Sequence, residues 1–451
     1  MYFKLPLRSH LHLTLISKAS YPYIVLFLAC MILSAFTLNT SAAEESSSKW
    51  WKGNLHTHSM WSDGDDYPEM IVEWYKQHEY HFLAMTDHNV LSQGERWISV
   101  EKSRGGLKAY EKYVDRFGDT WVESRKAENG LQVRLKPFDE YRRLFEEAGK
   151  FILMQGEELS DNFRDTNNRN YPIHLNATNL IHLILPQGGE NVRDILQRNI
   201  NAVLKQREET GQIMFPHINH PNFGWALTVE DMIDLEGERF FEVYNGHPAV
   251  HNEGDDLHPS TDRMWDIILT RRLGELNLPV VYGVGTDDAH GYHQISSRQS
   301  NPGRGWVMVR SEYLTPEHII TAMENGDFYA SSGVELEEIR VSEEGMDIRI
   351  KPEEGVKYTT RFIGTRKGYD PSSEPVTAET LDHPVSRRYS EDIGVILKEV
   401  KESDQASYEF SGDEIYVRAV IISSKLKENP YLEGEYERAW VQPVVLNAGG
   451  E

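Results

Sequence analysis

Phe82-Leu83-Ala84-Met85-Thr86-Asp87-His88 is a short apolar, strand-like run that stops on a polar cluster. The arrangement recurs along the chain. Phe151-Ile152-Leu153-Met154 leads to Gly156-Glu157-Glu158, and Ile213-Met214-Phe215 leads to the segment His217 through His220. Val280-Val281-Tyr282-Gly283-Val284 leads to Asp287-Asp288-Ala289-His290, and His56-Thr57-His58 follows a shorter lead-in. Residues at the carboxyl ends of several parallel strands converge at one mouth of an α/β barrel. A ring of imidazoles and carboxylates at that mouth reads as a multi-metal hydrolase site.

Strand-like segments lie at 151–155, 173–183, 213–216, 240–244, 280–284 and 306–309, and helical patterns such as Val192 to Thr210 and Met264 to Leu273 separate most of them. That alternation predicts a parallel sheet, and its number of repeats favours a barrel over an open sheet. Residues 44–335 are therefore expected to form the barrel. Within them, residues 92–150 are charged, aromatic and largely helical in pattern, longer than one crossover needs, and are read as an insertion over the barrel mouth. From residue 336 short alternating runs are separated by Gly, Pro, Asp and Glu, which predicts a small antiparallel β domain over 336–451, of sandwich type.

Residues 1–43 read as a secretory signal peptide: Lys4, Arg8 and Lys18 precede a 13-residue apolar stretch from Ile24 to Phe36, and Ser41-Ala42-Ala43 offers a cleavage point. The competing reading, an uncleaved anchor, meets the difficulty that 13 residues fall short of the ~20 a spanning helix needs. The expectation is an exported, periplasmic or extracellular protein with no membrane partner once mature. Cys30 is the only cysteine, so the mature chain has no disulfide and no thiolate ligand. Without the leader 44 Lys and Arg face 71 Asp and Glu, a net charge of −27. Such a surface repels polyanions and argues against nucleic acid as a partner, leaving a small-molecule substrate.

His56 and His58 are two apart, so on a strand both rings share one face and suit a single divalent ion. Asp63, in Ser62-Asp63-Gly64, is a turn carboxylate able to reach the same or a neighbouring ion. His88 ends a strand beside Asp87. Glu158 ends the next, with Glu157 as the alternative. His174 shares a face with Asn176, His217 and His220 end another strand, and Asp288 and His290 repeat the two-residue spacing. Arg164 and Arg169 follow the Glu158 strand and Arg298 and Arg304 follow His290; each is a candidate for bidentate phosphate binding. Asn245 ends a barrel strand and is a candidate for lining the pocket. His78, His81, His182, His247, His251, His258, His293 and His318 are read as ordinary.

The ordered set His56-x-His58, Ser62-Asp63-Gly64, Thr86-Asp87-His88, Gly156-x-Glu158, His174, His220-Pro221 and Asp288-x-His290 resembles the polymerase and histidinol phosphatase (PHP) superfamily of metallohydrolases, over roughly residues 50–335. Gly326 to Ser331 resembles the segment that closes the domain in stand-alone members. The resemblance implies a distorted, seven-stranded (βα) barrel and two or three clustered ions, zinc, manganese or iron. It implies that His56, His58, Glu158 and Asp288 ligate one ion and that Glu158 bridges to a second beside His88 and Asp63. His174 and His220 would complete that site or a third, with His290 on the remaining ion. Asp287 and Glu157 are the alternates if the spacing slips by one.

A metal-activated water would attack phosphorus or a carbonyl carbon. Asp63 and His217 are the catalytic candidates, His217 as general acid. The leading expectation is a phosphoesterase for small phosphomonoesters or phosphodiesters. The alternatives are a hydrolase of a carbon ester, amide or carbamate, and a lapsed domain that binds glycans or partners.

Overall fold

The apolar runs become strands of one large sheet. In chain order these begin with β1 (Lys49–Asn54) and β2 (Phe82–Met85), the latter buried at all four residues. The inserted segment follows, with β3 (Arg96–Ser99), β4 (Ser124–Ala127) and β5 (Gly130–Leu135). Then come β6 (Ile152–Arg164), β7 (Asn170–Thr178), β8 (Phe215–Ile218), β9 (Phe240–Asn245), β10 (Tyr282–Thr286), β11 (Trp306–Ser311) and β12 (Phe328–Ser331). This computed structural model describes residues 48–128, 130–377 and 383–446, so the leader expected at 1–43 lies outside the described residues. Among the described residues no helix is long and apolar enough to cross a membrane.

The remaining strands are β13 (Leu336–Val341), β14 (Gly345–Ile350), β15 (Tyr358–Arg366), β16 (Ser373–Glu374), β17 (Arg388–Tyr389), β18 (Val395–Lys401), β19 (Gln405–Glu409), β20 (Glu414–Leu426) and β21 (Tyr436–Val445). The large sheet has thirteen strands in the order β10-β9-β8-β7-β6-β2-β1-β11-β12-β21-β20-β15-β18. It is mixed. β1, β2 and β6 are parallel, as are β8, β9 and β10, but β7 runs antiparallel to both its neighbours. The reason is connection length. Only residues 165–169 join β6 to β7, and a parallel return needs a crossover of about a dozen residues or more.

The all-parallel expectation is corrected there, and the seven-stranded barrel is met only in part. Thr57 and Ala289 form a parallel bridge and the His58 amide donates to the Ala289 carbonyl at 3.0 Å, so the segment after β1 meets the segment after β10. That contact gathers the carboxyl ends of β1, β2, β8, β9 and β10 around the middle of β6.

The insertion is less helical than its pattern suggested. Helices Gly106–Phe117 and Phe138–Phe145 accompany a small antiparallel sheet in the order β3-β5-β4. Leu131, Val133 and Leu135 alternate along β5, and Val133 and Leu135 are buried with Met60, Trp61 and Tyr67. The insertion thus sits on the loop that follows His58.

After residue 336 the chain contributes to two sheets. β21 pairs antiparallel with β12, so β21, β20, β15 and β18 prolong the large sheet. β13, β14 and β19 form a separate antiparallel sheet with period-two burial, and Ile339, Met346 and Ile348 share a core with Phe362, Ala419, Ile421 and Val441. Arg418 of β20 reaches helix Thr261–Arg271, where Nε and Nη2 each lie 2.8 Å from an Asp266 oxygen.

The chain entering β9 carries a carboxyl with little compensation. Glu238 is 2% exposed, its Oε1 accepts from the Arg239 and Phe240 amides, and its Oε2 has no hydrogen bond among the described residues. Burial pushes this acid up to about 8, against the pull of those amides and of Arg272 and Arg239. A raised folded pKa gives stability that is complete below the unfolded carboxyl range and is lost as pH rises through about 8. Glu238→Gln should therefore flatten the decline in denaturant midpoint of the wild type between about pH 5 and 9, measured at fixed ionic strength.

Candidate metal centre

Nine side chains expected at the mouth are brought together: His56, His58, Asp63, His88, Glu158, His174, His220, Asp288 and His290. Among the described residues their ligand atoms fall into groups of three or four lying within 4.8 Å of one another, such as His56, His58 and Glu158, or His58, Asp63, His88 and His290. His56 and His58 leave β1, His88 leaves β2, His220 leaves β8, and Asp288 and His290 leave β10. Glu158 and His174 sit within β6 and β7, on the hairpin where Glu158 faces Asn176 and Ser160 faces His174. Two of the loop residues hold left-handed backbone, His220 at φ 23° and Asp288 at φ 49°. Such strain in non-glycine residues concentrates at functional sites.

Glu158 is the centre. Its Oε1 lies 3.4 Å from His56 Nε2, 3.0 Å from His174 Nδ1 and 3.3 Å from His220 Nε2, and accepts from Asn219 Nδ2 at 2.8 Å. Its Oε2 lies 3.4 Å from His58 Nε2 and 2.7 Å from His88 Nδ1, although the hydrogen bond of His88 goes to Ser160 Oγ at 2.6 Å. Asp288 Oδ1 lies 3.3 Å from His56 Nε2 and 3.2 Å from His58 Nε2. Asp63, 51% exposed, faces the other side: its Oδ1 is 3.3 Å from His290 Nε2 and 3.6 Å from His88 Nε2.

The donors fit a divalent ion. Four ligands held tetrahedrally at about 2.1 Å from one ion stand about 3.4 Å from each other, the spacing seen around His56, His58, Glu158 and Asp288. Buried His56 Nε2, His58 Nε2, Glu158 Oε2 and His174 Nδ1 have no hydrogen bond among the described residues. Buried polar atoms are almost always satisfied, so this collection points to a shared cation.

The carboxylates and His58 lean the same way, while His88 is drawn toward its charged form. Burial opposes ionisation of Glu158, yet His88, His174 and His56 hold it well below the usual carboxylate range. Asp288 is held down against burial by His56, His58 and His290. Burial lowers His58 to about 3, helped by His290 and His88, so its lone pairs stay free. Burial also opposes charge on His88, but Glu158 and Asp63 raise it to about 9.

The alternates separate cleanly. Glu157 points away from Glu158 and accepts from the Ile184 amide at 2.7 Å. Asp287 accepts from the Gly303 and Gly305 amides at 2.9 and 2.8 Å and from Tyr75 Oη at 2.9 Å. Asp87 accepts from Ser59 and Ser62 and shapes the loop leading to Asp63.

The arginines differ from expectation. Arg164 is six residues beyond Glu158 on β6, about 20 Å of extended strand, and bonds Asn168 at the hairpin tip. Arg169 lies at the same tip, 3.9 Å from Asp165. Arg304 is buried and spends its guanidinium on the carbonyls of Gly246, Gln299 and Ser296 and on Asn429, so it is a loop clamp and no phosphate ligand. Arg298 is exposed on the intervening loop. The cation beside the cluster is one not anticipated, Arg104 of the insertion, whose Nη1 donates to the Asp63 carbonyl at 2.8 Å and lies 4.0 Å from its Oδ2.

Two more expectations change. Asn245 donates to Glu242 at 2.8 Å and to Asp288 at 3.2 Å, so it braces the cluster from behind and does not line an opening. His217 stands behind His56, its Nε2 3.6 Å from Glu242 and 3.3 Å from Asn176 Nδ2. That places the proposed general acid one ring away from Glu158 and Asp288.

Glu242 itself was missed. It sits in the otherwise apolar β9, bonds His56 Nδ1 at 2.7 Å, and accepts from Thr286 Oγ1 at 2.7 Å and from the His220 amide at 2.7 Å. A carboxylate on one imidazole nitrogen fixes the tautomer and aims the other nitrogen at the metal. The signal for it was the single acid in Phe240-Phe241-Glu242-Val243-Tyr244.

No family model and no curated protein matches the chain. Among solved structures it is similar to a two-domain protein from Bacteroides vulgatus containing a predicted PHP-like metal-dependent phosphoesterase, with 14% identity and a TM-score of 0.37. The alignment covers 88% of this chain and 96% of that one. So loose a likeness adds nothing to the donor geometry.

The two adjacent glutamates should part company on substitution. Glu158→Gln should weaken divalent-metal retention by at least about 10- to 100-fold, whereas Glu157→Gln should keep the wild-type content, both read by elemental analysis after dialysis.

Proposed function

We propose that this protein is a metal-dependent phosphoesterase of PHP type, acting on small phosphomonoesters or phosphodiesters with a metal-activated water. The observation that carries the reading is the Glu158-centred cluster of unpartnered, buried imidazole and carboxylate atoms at metal-ligand spacing. His56, His58, Glu158 and Asp288 would hold one ion, with His88, Asp63, His290, His174 and His220 for one or two more. Bound divalent ions would lower the pKa of a coordinated water from about 15.7 to about 7 and stabilise charge on the attacked group.

The chain's own residues set up that chemistry. Glu242 and Asn219 orient His56 and Glu158, so the ligands are aimed before any substrate arrives. Asp63 is the exposed acid of the cluster and the one placed to meet solvent or a leaving group. Arg104 is half exposed, and its Nε and Nη2 have no partner among the described residues, which leaves a fork of donors for a phosphoryl oxygen. The chain's acidity makes such a cation the natural selector for an anionic ester.

A second reading, hydrolysis of a carbon ester, amide or carbamate, is favoured by one feature. Phe223, half-buried, lies with its ring 5.0 Å from that of His220 and 6.1 Å from that of His174, giving the cluster an apolar flank.

The purified protein, loaded with zinc, manganese or iron, should hydrolyse p-nitrophenyl phosphate or its bis-ester, and His56→Ala and Asp288→Ala should each lose more than about 100-fold in kcat/KM. Arg104→Ala should cost phosphate esters about 10-fold, mainly in KM, and leave p-nitrophenyl acetate unchanged. Turnover of the acetate alone would move the assignment to the second reading. Absence of metal and of turnover would end the enzyme reading.

A further inference from the structure

Metal ligands have no N–H left to offer a substrate, because their facing nitrogens and oxygens are lone-pair donors. A site of this kind therefore needs hydrogen-bond donors from outside the ligand set. One histidine that reads as ordinary in the sequence is placed to be such a donor. His247 follows β9 by two residues, and its own amide donates to Asn245 Oδ1 at 2.8 Å. The same Asn245 braces Glu242 and Asp288, so the loop carrying His247 is tied to the cluster.

The tautomer is set by backbone. The Ala249 amide donates to His247 Nδ1 at 3.1 Å. An Nδ1 that accepts carries the lone pair, so the proton of the neutral ring is on Nε2. That Nε2 has no hydrogen-bond partner among the described residues. The ring is half-buried, 5.7 Å from the His290 ring, and edge-on to Phe223 at 5.9 Å. Phe223 in turn touches His220, so His247 and Phe223 together flank the ligand set on its His220 and His290 side.

We propose that His247 is a substrate-contacting residue whose Nε2–H donates to an anionic oxygen of the phosphoryl group, adding a fixed neutral donor to the charge stabilisation at the cluster. A preorganised N–H aimed at developing negative charge costs no reorganisation during reaction. This inference rests on the phosphoesterase reading. It makes His247 a determinant of oxyanion binding and not a metal ligand.

The test uses the metal-loaded full chain and inorganic phosphate, with binding measured by calorimetry and metal content by elemental analysis. His247→Leu should keep wild-type metal content and thermal midpoint while weakening phosphate by about 10-fold and lowering kcat/KM in step. His247→Gln, whose amide can replace the donor, should recover binding to within about threefold of wild type. Loss of metal in His247→Leu would make His247 a ligand and overturn the proposal. Equal phosphate affinity in wild type and His247→Leu would overturn it while leaving the phosphoesterase reading intact. A wild type that holds metal but binds no phosphate would remove both.

Discussion

The confinement of Glu158 is the constraint on which the rest depends. Five imidazoles, those of His56, His58, His88, His174 and His220, approach this one buried carboxylate within 3.4 Å, and Asp288 shares two of them. Packing this many polar groups away from water is costly unless each lone pair finds a partner. Divalent cations answer that need with few atoms. Burial opposes charge on His56, yet Asp288, Glu242 and Glu158 raise it well above the usual imidazole range.

Around that centre the chain spends a second set of polar residues on geometry. Glu242 aims His56, Asn219 holds Glu158, and Asn245 links Glu242 to Asp288. Farther out, Asp87 gathers the loop of Ser59 and Ser62 and Asp287 gathers the amides of Gly303 and Gly305. The doublets Asp87-His88, Glu157-Glu158 and Asp287-Asp288 share one logic. Along extended backbone successive side chains point to opposite sides, as Glu157 and Glu158 do within β6, and at Asp287-Asp288 the left-handed turn of Asp288 accompanies the same split. The second member therefore enters the cluster while the first faces the surrounding scaffold.

The cluster's openness is uneven. Asp63 and Arg104 form a charged rim under the inserted segment, and Phe223 and His247 form a rim with one aromatic ring and one imidazole. On the proposed reading, an anionic group over the ligand set would meet Arg104 from the first side and His247 from the second, with Phe223 as the apolar flank. The insertion has its own core of Val100, Val133 and Leu135 with Trp61 and Tyr67, so Arg104 is carried on a folded unit.

Strand-end placement, read from sequence, determined the candidate ligands: an apolar run followed by His, Asp or Glu marks a convergence point whatever the residue between. It also fixed the two-residue pairs and the change of pattern near residue 336. Tertiary structure alone decided which acid of each doublet faces inward, that β7 runs against its neighbours, and that the later strands prolong the same sheet through β12. It decided the arginines too. Arg164 and Arg169 are close to Glu158 in sequence, yet a strand carries them about 20 Å away, while Arg104 and His247 arrive from distant segments. The physical reason is that a strand or a cap is written in local periodicity, whereas a donor beside a substrate depends on how loops from separate strands are folded over one mouth.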